Sequence, residues 1–240
     1  MKAFILAAGL GTRLKPITDS KPKALVEING IPLIEHLLLK LINHGFNSVI
    51  VNVHHYADQV IEFIKSKKSF GIEIEFSKES GLLLDTGGGL KNVKWFFNDN
   101  QPFLIHNVDI FSNIDLNELY SYHKDKNSIA TLAVQKRNSS RYFLFDKGKN
   151  LCGWVNEKTG ETKITRKSSG ELYRFAFSGI QVVDPAIFDN MIKHDVFSLV
   201  DLYLSIASKH RITYFDHSNS IFVDLGKKEN LIEAEKLIGK

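Results

Sequence analysis

Residues 2–8 (KAFILAA) form an unbroken apolar run, the pattern of a strand covered on both faces. From Gly30 to Gly45 the period changes. Leu33, Leu37, Leu38, Leu41 and Ile42 recur at helical spacing, Pro32 lies near the start and Gly45 is placed as a C-terminal cap. Residues 48–53 (SVIVNV) read as a second strand and 57–67 as an amphipathic helix with Val60, Ile61 and Ile64 inward. GIEIEF, 71–76, alternates as a third strand, and another apolar strand ends around His106 to Asp109. Strands alternating with helices in this order predict a doubly wound α/β core with a mostly parallel sheet. After Ser128 short strand-like runs take over (IATLAVQ, RYFLFD, LCGWVN), with a turn signal at 156–161 and a longer strand at 174–183. Helical patterns return at 185–194, at 198–209 and in KKENLIEAEKLIG at the end. The predicted organisation is a single domain over 1–240, with a small antiparallel insertion or lid at about 130–175.

Composition narrows this only slightly. With 43% hydrophobic and 24% charged residues, the 240-residue chain has the make-up of a soluble globular protein. A net charge of +4 suits anionic small substrates but lacks the dense basic footprint of a nucleic-acid binder. Cys152 is the single cysteine, which excludes an intrachain disulfide and a cysteine-based zinc site. The first apolar run is too short to cross a membrane and has no clean cleavage site after it, so a cytoplasmic location is the default expectation. Nothing in the sequence specifies an oligomeric state.

The stretch LAAGLGTRLKPITDSKPKAL (6–25) changes the picture. A strand that leaves through small residues toward a helix is where α/β folds hold phosphates. The amides of Ala8, Gly9, Gly11 and Thr12 can cradle phosphate oxygens. Neither GxxxxGK[ST] nor GxGxxG fits the letters. What remains, Gly9-x-Gly11-Thr12-Arg13 with Pro22-Lys23 beyond it, resembles the signature of the sugar-1-phosphate nucleotidyltransferases, which join a nucleoside triphosphate (NTP) and a sugar 1-phosphate and release pyrophosphate. The resemblance runs along the chain through GLLLDTGGGL (81–90), FLIHNVDIF (103–111), RFAFSGIQVVDPAIF (174–188) and IFVDLGKKENLIEAE (221–235). Within the family the chain looks most like N-acetylmuramate 1-phosphate uridylyltransferases, whose product is a cell-wall precursor. Those enzymes read Asn-Gly-Asp where this chain has Asn107-Val108-Asp109. Valine lacks glycine's extra conformations, so the backbone near Asn107 is expected to differ.

The resemblance implies the following roles. Arg13 grips the departing pyrophosphate and Lys23 lies between the α-phosphate and the sugar phosphate. Asp109 and Asp224 hold one Mg²⁺. Thr86, Gly87 and Gly88 pass against the base, and the glycine run is read as a tight turn into a helix starting near Leu90. Asn107, Glu171 and Gly179 join Lys23 on the sugar-phosphate side. Arg137 or Arg141 is a candidate partner for a sugar carboxylate. His54 and His55, on opposite faces of a strand, read as structural, and Trp95, Phe96 and Phe97 as core. UTP with N-acetylmuramate 1-phosphate is the leading substrate pair, and guanylyl transfer to mannose or heptose 1-phosphate the alternative. Two readings of other classes are a catalytically inactive nucleotide-sugar-binding regulatory subunit and a glycosyltransferase. The first is disfavoured by the presence of all four charged residues, and the second leaves the Gly-Thr-Arg loop without a task. No β-helical repeat follows the last helix, so a second, acetyl-transfer activity is not expected.

Overall fold

The computed structural model describes residues 1–238. Gly239 and Lys240, the end of the last expected helix, lie outside the described residues. The chain runs through β1 (Lys2–Leu6), β2 (Glu27–Ile28), β3 (Ile31–Pro32), α1 (Leu33–Asn43), β4 (Ser48–Val53), α2 (Ala57–Ser66), β5 (Glu73–Lys78), α3 (Asp85–Asn92), β6 (Phe103–Asn107), β7 (Ile110–Ser112) and α4 (Leu116–Lys126). It continues through β8 (Ala130–Gln135), β9 (Arg141–Phe145), β10 (Leu151–Asn156), β11 (Glu161–Ile164), β12 (Tyr173–Val183), α5 (Leu199–Ile206), β13 (Ile212–Asp216), β14 (Phe222–Asp224) and α6 (Lys228–Ile238). The fold is α/β, with a mostly parallel central sheet and a few antiparallel strands. The chain divides into two compact units, one of Met1–Leu83, His106–Ile114 and Ile221–Lys240, the other of Leu84–Ile105 and Asp115–Ser220.

In the first unit β1, β4 and β5 pair in parallel, Lys2 opposite Ser48 and Ser48 opposite Glu73. The apolar run of β1 buries Ala3, Phe4 and Ile5 completely, as a strand covered on both faces must. Helix α1 buries Leu33, Ile34, Leu37, Leu38 and Leu41, each stabilising by about 1.5–3 kcal/mol. It stops at Gly45, φ 79, where the Gly45 amide donates to the Ile42 carbonyl at 2.9 Å and the Phe46 amide to the Leu41 carbonyl at 3.0 Å. Only a residue at ease with positive φ closes a helix this way. β5 begins two residues later than the alternation suggested.

In the second unit β8 pairs antiparallel with β12 and parallel with β13. β9 pairs antiparallel with β12 and β10, and β10 with β11, which gives the predicted run of antiparallel strands. Helix α4, β11 and β13 escaped the sequence reading. α4 has a polar surface and declares itself through its cap, Asp115, whose side chain accepts from the amides of Asn117 and Glu118 at 2.8 and 3.1 Å. The helix expected at 185–194 is a short 3₁₀ turn, Pro185–Asn190. The turn buries only Ile187 and Phe188, too little for a longer helix to rest on. Trp95 corrects another expectation: it is 58% exposed, while its neighbours Phe96 and Phe97 are buried.

Candidate active site

The loop after β1 is fixed by its glycines. Gly11 sits at φ 64, and a Cβ there would come within 2.9 Å of Thr18 Cγ2 and 3.2 Å of Lys23 Cβ. Thr18 Oγ1 donates to the Gly11 carbonyl at 2.8 Å, and the Leu14 amide donates to the same oxygen at 2.8 Å. Leu14 is fully buried. The loop is thus anchored at Leu14 and Thr18, while Gly9, Thr12 and Arg13 face outward. Space beside Gly9 is open, with no atom within 4 Å of a built Cβ.

Four charged side chains of the first unit converge. Lys23 Nζ pairs with Asp109 Oδ2, and both side chains are largely shielded, 12% and 14% exposed. Arg13 Nη1 lies 3.4 Å from Asp224 Oδ2 in a more open pair. Asp109 and Asp224 are 115 positions apart in the chain but are brought together by β7 and β14, which pair antiparallel with Asp224 opposite Ile110. The Leu225 amide then donates to the Asp109 carbonyl at 2.8 Å, which locks the junction.

Gly226 marks the meeting point. A Cβ on it would lie 2.5 Å from Arg13 Nη2, 2.9 Å from Asp224 Oδ1 and 3.0 Å from Asp109 Oδ2. Both carboxylates and the guanidinium therefore border one small space that exists because residue 226 has no side chain. The Gly226 amide donates to Asp224 Oδ1 at 2.9 Å, and Asn230 Nδ2 donates to the Asp224 carbonyl at 2.7 Å. Gly226 ends the VDLG run, and no role for it follows from the resemblance. A glycine two residues after a candidate metal ligand was the available signal.

Hard oxygen donors bordering one space fit a divalent magnesium ion, which takes one or two carboxylates and completes its shell with substrate phosphates and water. Among the described residues no group of three or more His, Cys, Asp or Glu forms a cage of its own. Two carboxylates are what this chain offers.

The turn at Asn107-Val108-Asp109 needs no glycine. Val108 is absent from the positive-φ residues, its side chain is buried, and its amide donates to the Leu6 carbonyl at 3.1 Å. The Asn107 carbonyl takes a hydrogen bond from His106 Nδ1 at 2.8 Å. Burial pushes the His106 imidazole down to about 3; nearby Lys40 pushes the same way and the bond to Asn107 opposes. His106 is a neutral strut there. His54 Nδ1 bonds the Glu79 carbonyl at 3.0 Å, in keeping with a structural role.

The second unit carries Thr86, Gly87, Gly88, Glu171 and Gly179. The glycine run is not a turn before a helix; it is the first turns of α3, which starts at Asp85. Packing against 195–197 explains Gly87 and Gly88. A Cβ on Gly87 would lie 2.5 Å from Phe197 Cε2, and one on Gly88 would strike the Asp195 carbonyl oxygen and come within 2.9 Å of Leu84 Cβ. The Gly87 and Gly88 amides both donate to the Phe197 carbonyl, at 2.9 and 3.1 Å. Thr86 Oγ1 accepts from the Leu199 amide at 2.9 Å. These donors are engaged within the unit. Glu171 is exposed ahead of β12, whereas Gly179 is buried within that strand at φ 71. Arg137 Nη2 donates to the Phe177 carbonyl at 2.9 Å, and Arg141 is exposed.

The family model described as nucleotidyl transferase matches residues 2–240. A UTP–glucose-1-phosphate uridylyltransferase from Synechocystis is 30% identical over 98% of this chain, which spans 62% of that protein's length. An N-acetylmuramate alpha-1-phosphate uridylyltransferase from Neisseria meningitidis is 26% identical, with 100% of this chain and 99% of the relative covered. Among solved structures, HddC from Yersinia pseudotuberculosis complexed with GMP-PN superposes with a TM-score of 0.78 at 22% identity, covering 99% of both chains.

Proposed function

Because the chain belongs to the nucleotidyl transferase family, we propose that it transfers a nucleotidyl group from a nucleoside triphosphate to a sugar 1-phosphate, with UTP and N-acetylmuramate 1-phosphate as the preferred pair. The observation that carries this reading is the meeting of Arg13, Lys23, Asp109 and Asp224 around Gly226. The end-to-end match with the uridylyltransferase of Neisseria meningitidis favours that pair.

The chemistry brings together two polyanions. Unit like charges at 4 Å repel by about 4 kcal/mol at an effective dielectric of 20. Neutralisation and alignment are therefore the main catalytic work. The attacking phosphate oxygen is already anionic, so the chemistry needs no strong general base. Arg13, exposed on the loop after β1, offers a planar fork of donors to the leaving pyrophosphate. Lys23, shielded beside Asp109, would bridge the α-phosphate and the incoming sugar phosphate. Amides of the Gly9–Thr12 loop add donors to the triphosphate. Magnesium held by Asp109 and Asp224 would supply polarisation of the α-phosphate. The backbone at Thr86–Gly88 is the proposed base side, and Asn107, Glu171 and Gly179 the proposed sugar side.

A matrix of nucleoside triphosphates against sugar 1-phosphates, with pyrophosphate release as the readout, tests the proposal. The expected result is Mg²⁺-dependent release that requires both substrates and is fastest with UTP and N-acetylmuramate 1-phosphate. Fastest release with GTP and mannose or heptose 1-phosphate would transfer the assignment to guanylyl transfer. Absence of release across the whole matrix would overturn nucleotidyl transfer.

A further inference from the structure

β12 contains an irregularity that other side chains hold in place. Phe177 lies opposite Val134 and Gln181 opposite Leu132, so three residues of β12 face one residue of β8. Ser178, Gly179 and Ile180 are the three, set against Ala133, and all three are buried. Gly179 turns the chain at φ 71, where a side chain would be strained. A bulge leaves ladder groups without strand partners.

Two side chains fasten this bulge. Arg137 Nη2 donates to the Phe177 carbonyl on its leading edge at 2.9 Å. His217 Nε2 shares a 2.8 Å hydrogen bond with Ser178 Oγ inside it. His217 is 4% exposed and Ser178 1%. The histidine is fixed in turn: its amide donates to the Val134 carbonyl at 3.0 Å, and its carbonyl accepts from Gln135 Nε2 at 3.1 Å. Gln135 Nε2 also donates to the Ser220 carbonyl at 2.8 Å. A network of this kind holds one backbone conformation where a bare bulge would sample several.

We infer that His217 and Arg137 are positioning residues for the sugar phosphate, holding the Ser178–Gly179 backbone in the one shape that meets the sugar. The inference rests on the nucleotidyl-transfer reading and on Gly179 lying on the sugar side. It also gives Arg137 an occupation other than pairing a sugar carboxylate.

Steady-state kinetics of Ser178→Ala, His217→Ala, His217→Gln and Arg137→Ala, with each substrate varied in turn, test it. Loss of one buried hydrogen bond corresponds to roughly a tenfold change in binding. Ser178→Ala, His217→Ala and Arg137→Ala are expected to raise KM for the sugar 1-phosphate about tenfold, with kcat and the triphosphate KM within about twofold of wild type. His217→Gln, whose amide can reach the serine hydroxyl, restores most of the loss. Ser178→Ala removes one hydroxyl only, so it decides the matter even if His217→Ala does not fold. A wild-type sugar KM in Ser178→Ala, in an enzyme that turns over normally, overturns this inference alone. So do equal rises in both KM values. Wild-type protein that releases no pyrophosphate with any substrate pair overturns the functional reading, and this one with it.

Discussion

Gly226 has its role because of what it lacks. A methyl group on it would fall 2.5 Å from Arg13 Nη2 and about 3 Å from an oxygen of each carboxylate, inside the contact distance of any real side chain. Gly226→Ala should therefore push Arg13 away and part-fill the space between Asp109 and Asp224. We expect kcat/KM to fall at least about tenfold and the Mg²⁺ concentration for half-maximal rate to rise, with little change in melting temperature. A Mg²⁺ titration of the variant beside wild type checks this; unchanged metal dependence would count against the shared space. Lys23→Ala should cost about 10²–10³-fold in kcat/KM, the range for removing one preorganised donor from developing charge. Activity that survives this substitution unchanged would revive the regulatory-subunit reading. At this scale much was legible. Arg13, Lys23, Asp109 and Asp224 are charged groups in a recognisable frame, and polyanion chemistry gives each a task. Gly226 carries only its position two residues after Asp224 as a signal, because a steric vacancy has no chemistry to read.

Among the elements, α3 is the one whose character is counterintuitive. Three consecutive glycines, Gly87 to Gly89, lie inside a helix, although each costs about 1 kcal/mol relative to alanine there. Propensity alone predicts that Gly88→Ala stabilises. Packing predicts the reverse, since the new methyl would strike the Asp195 carbonyl oxygen and crowd Leu84 Cβ at 2.9 Å. Backbone atoms cannot swing aside as a side-chain tip can, so overpacking of about 1–3 kcal/mol should win. Thermal melts should show Gly88→Ala lowered by several degrees; a raised melting temperature would mean that the 195–197 segment yields freely. The same case shows why sequence placed the helix start near Leu90. Glycines signal a turn when read locally, and their reason here is a segment about 110 residues away. The β7–β14 pairing was hidden for the same cause: two three-residue strands, far apart in sequence, carry too little periodicity to reveal each other. Long periodic elements such as α1 and β4 were plain because their pattern is local.

At the scale of the whole chain, each unit contains a buried histidine kept neutral: His106 in the first and His123 in the second. Burial drives His106 down to about 3, helped by Lys40 and opposed by its bond to Asn107. Burial likewise drives His123 down to about 4, with Asp184 opposing; its Nδ1 is hydrogen bonded to Thr131 Oγ1 at 2.9 Å. Both values lie below the 6.5 of an unfolded histidine. Above that pH neither state holds the proton and the histidines do not affect stability. As pH falls below it, the unfolded chain takes up protons that the folded chain refuses. Stability is then lost at about 1.4 kcal/mol per pH unit for each histidine, until the folded value is reached. The window is therefore pH 6.5 down to about 4 for His123 and about 3 for His106. Denaturant midpoints measured from pH 7.5 to 4.5 should fall steeply for wild type and less steeply for His123→Gln, whose amide keeps a bond to Thr131 but cannot take up a proton. The variant's stability at neutral pH is immaterial, because the slope is the readout. Parallel curves for the two proteins would show that His123 is protonated in the folded state and that the burial argument fails for this site.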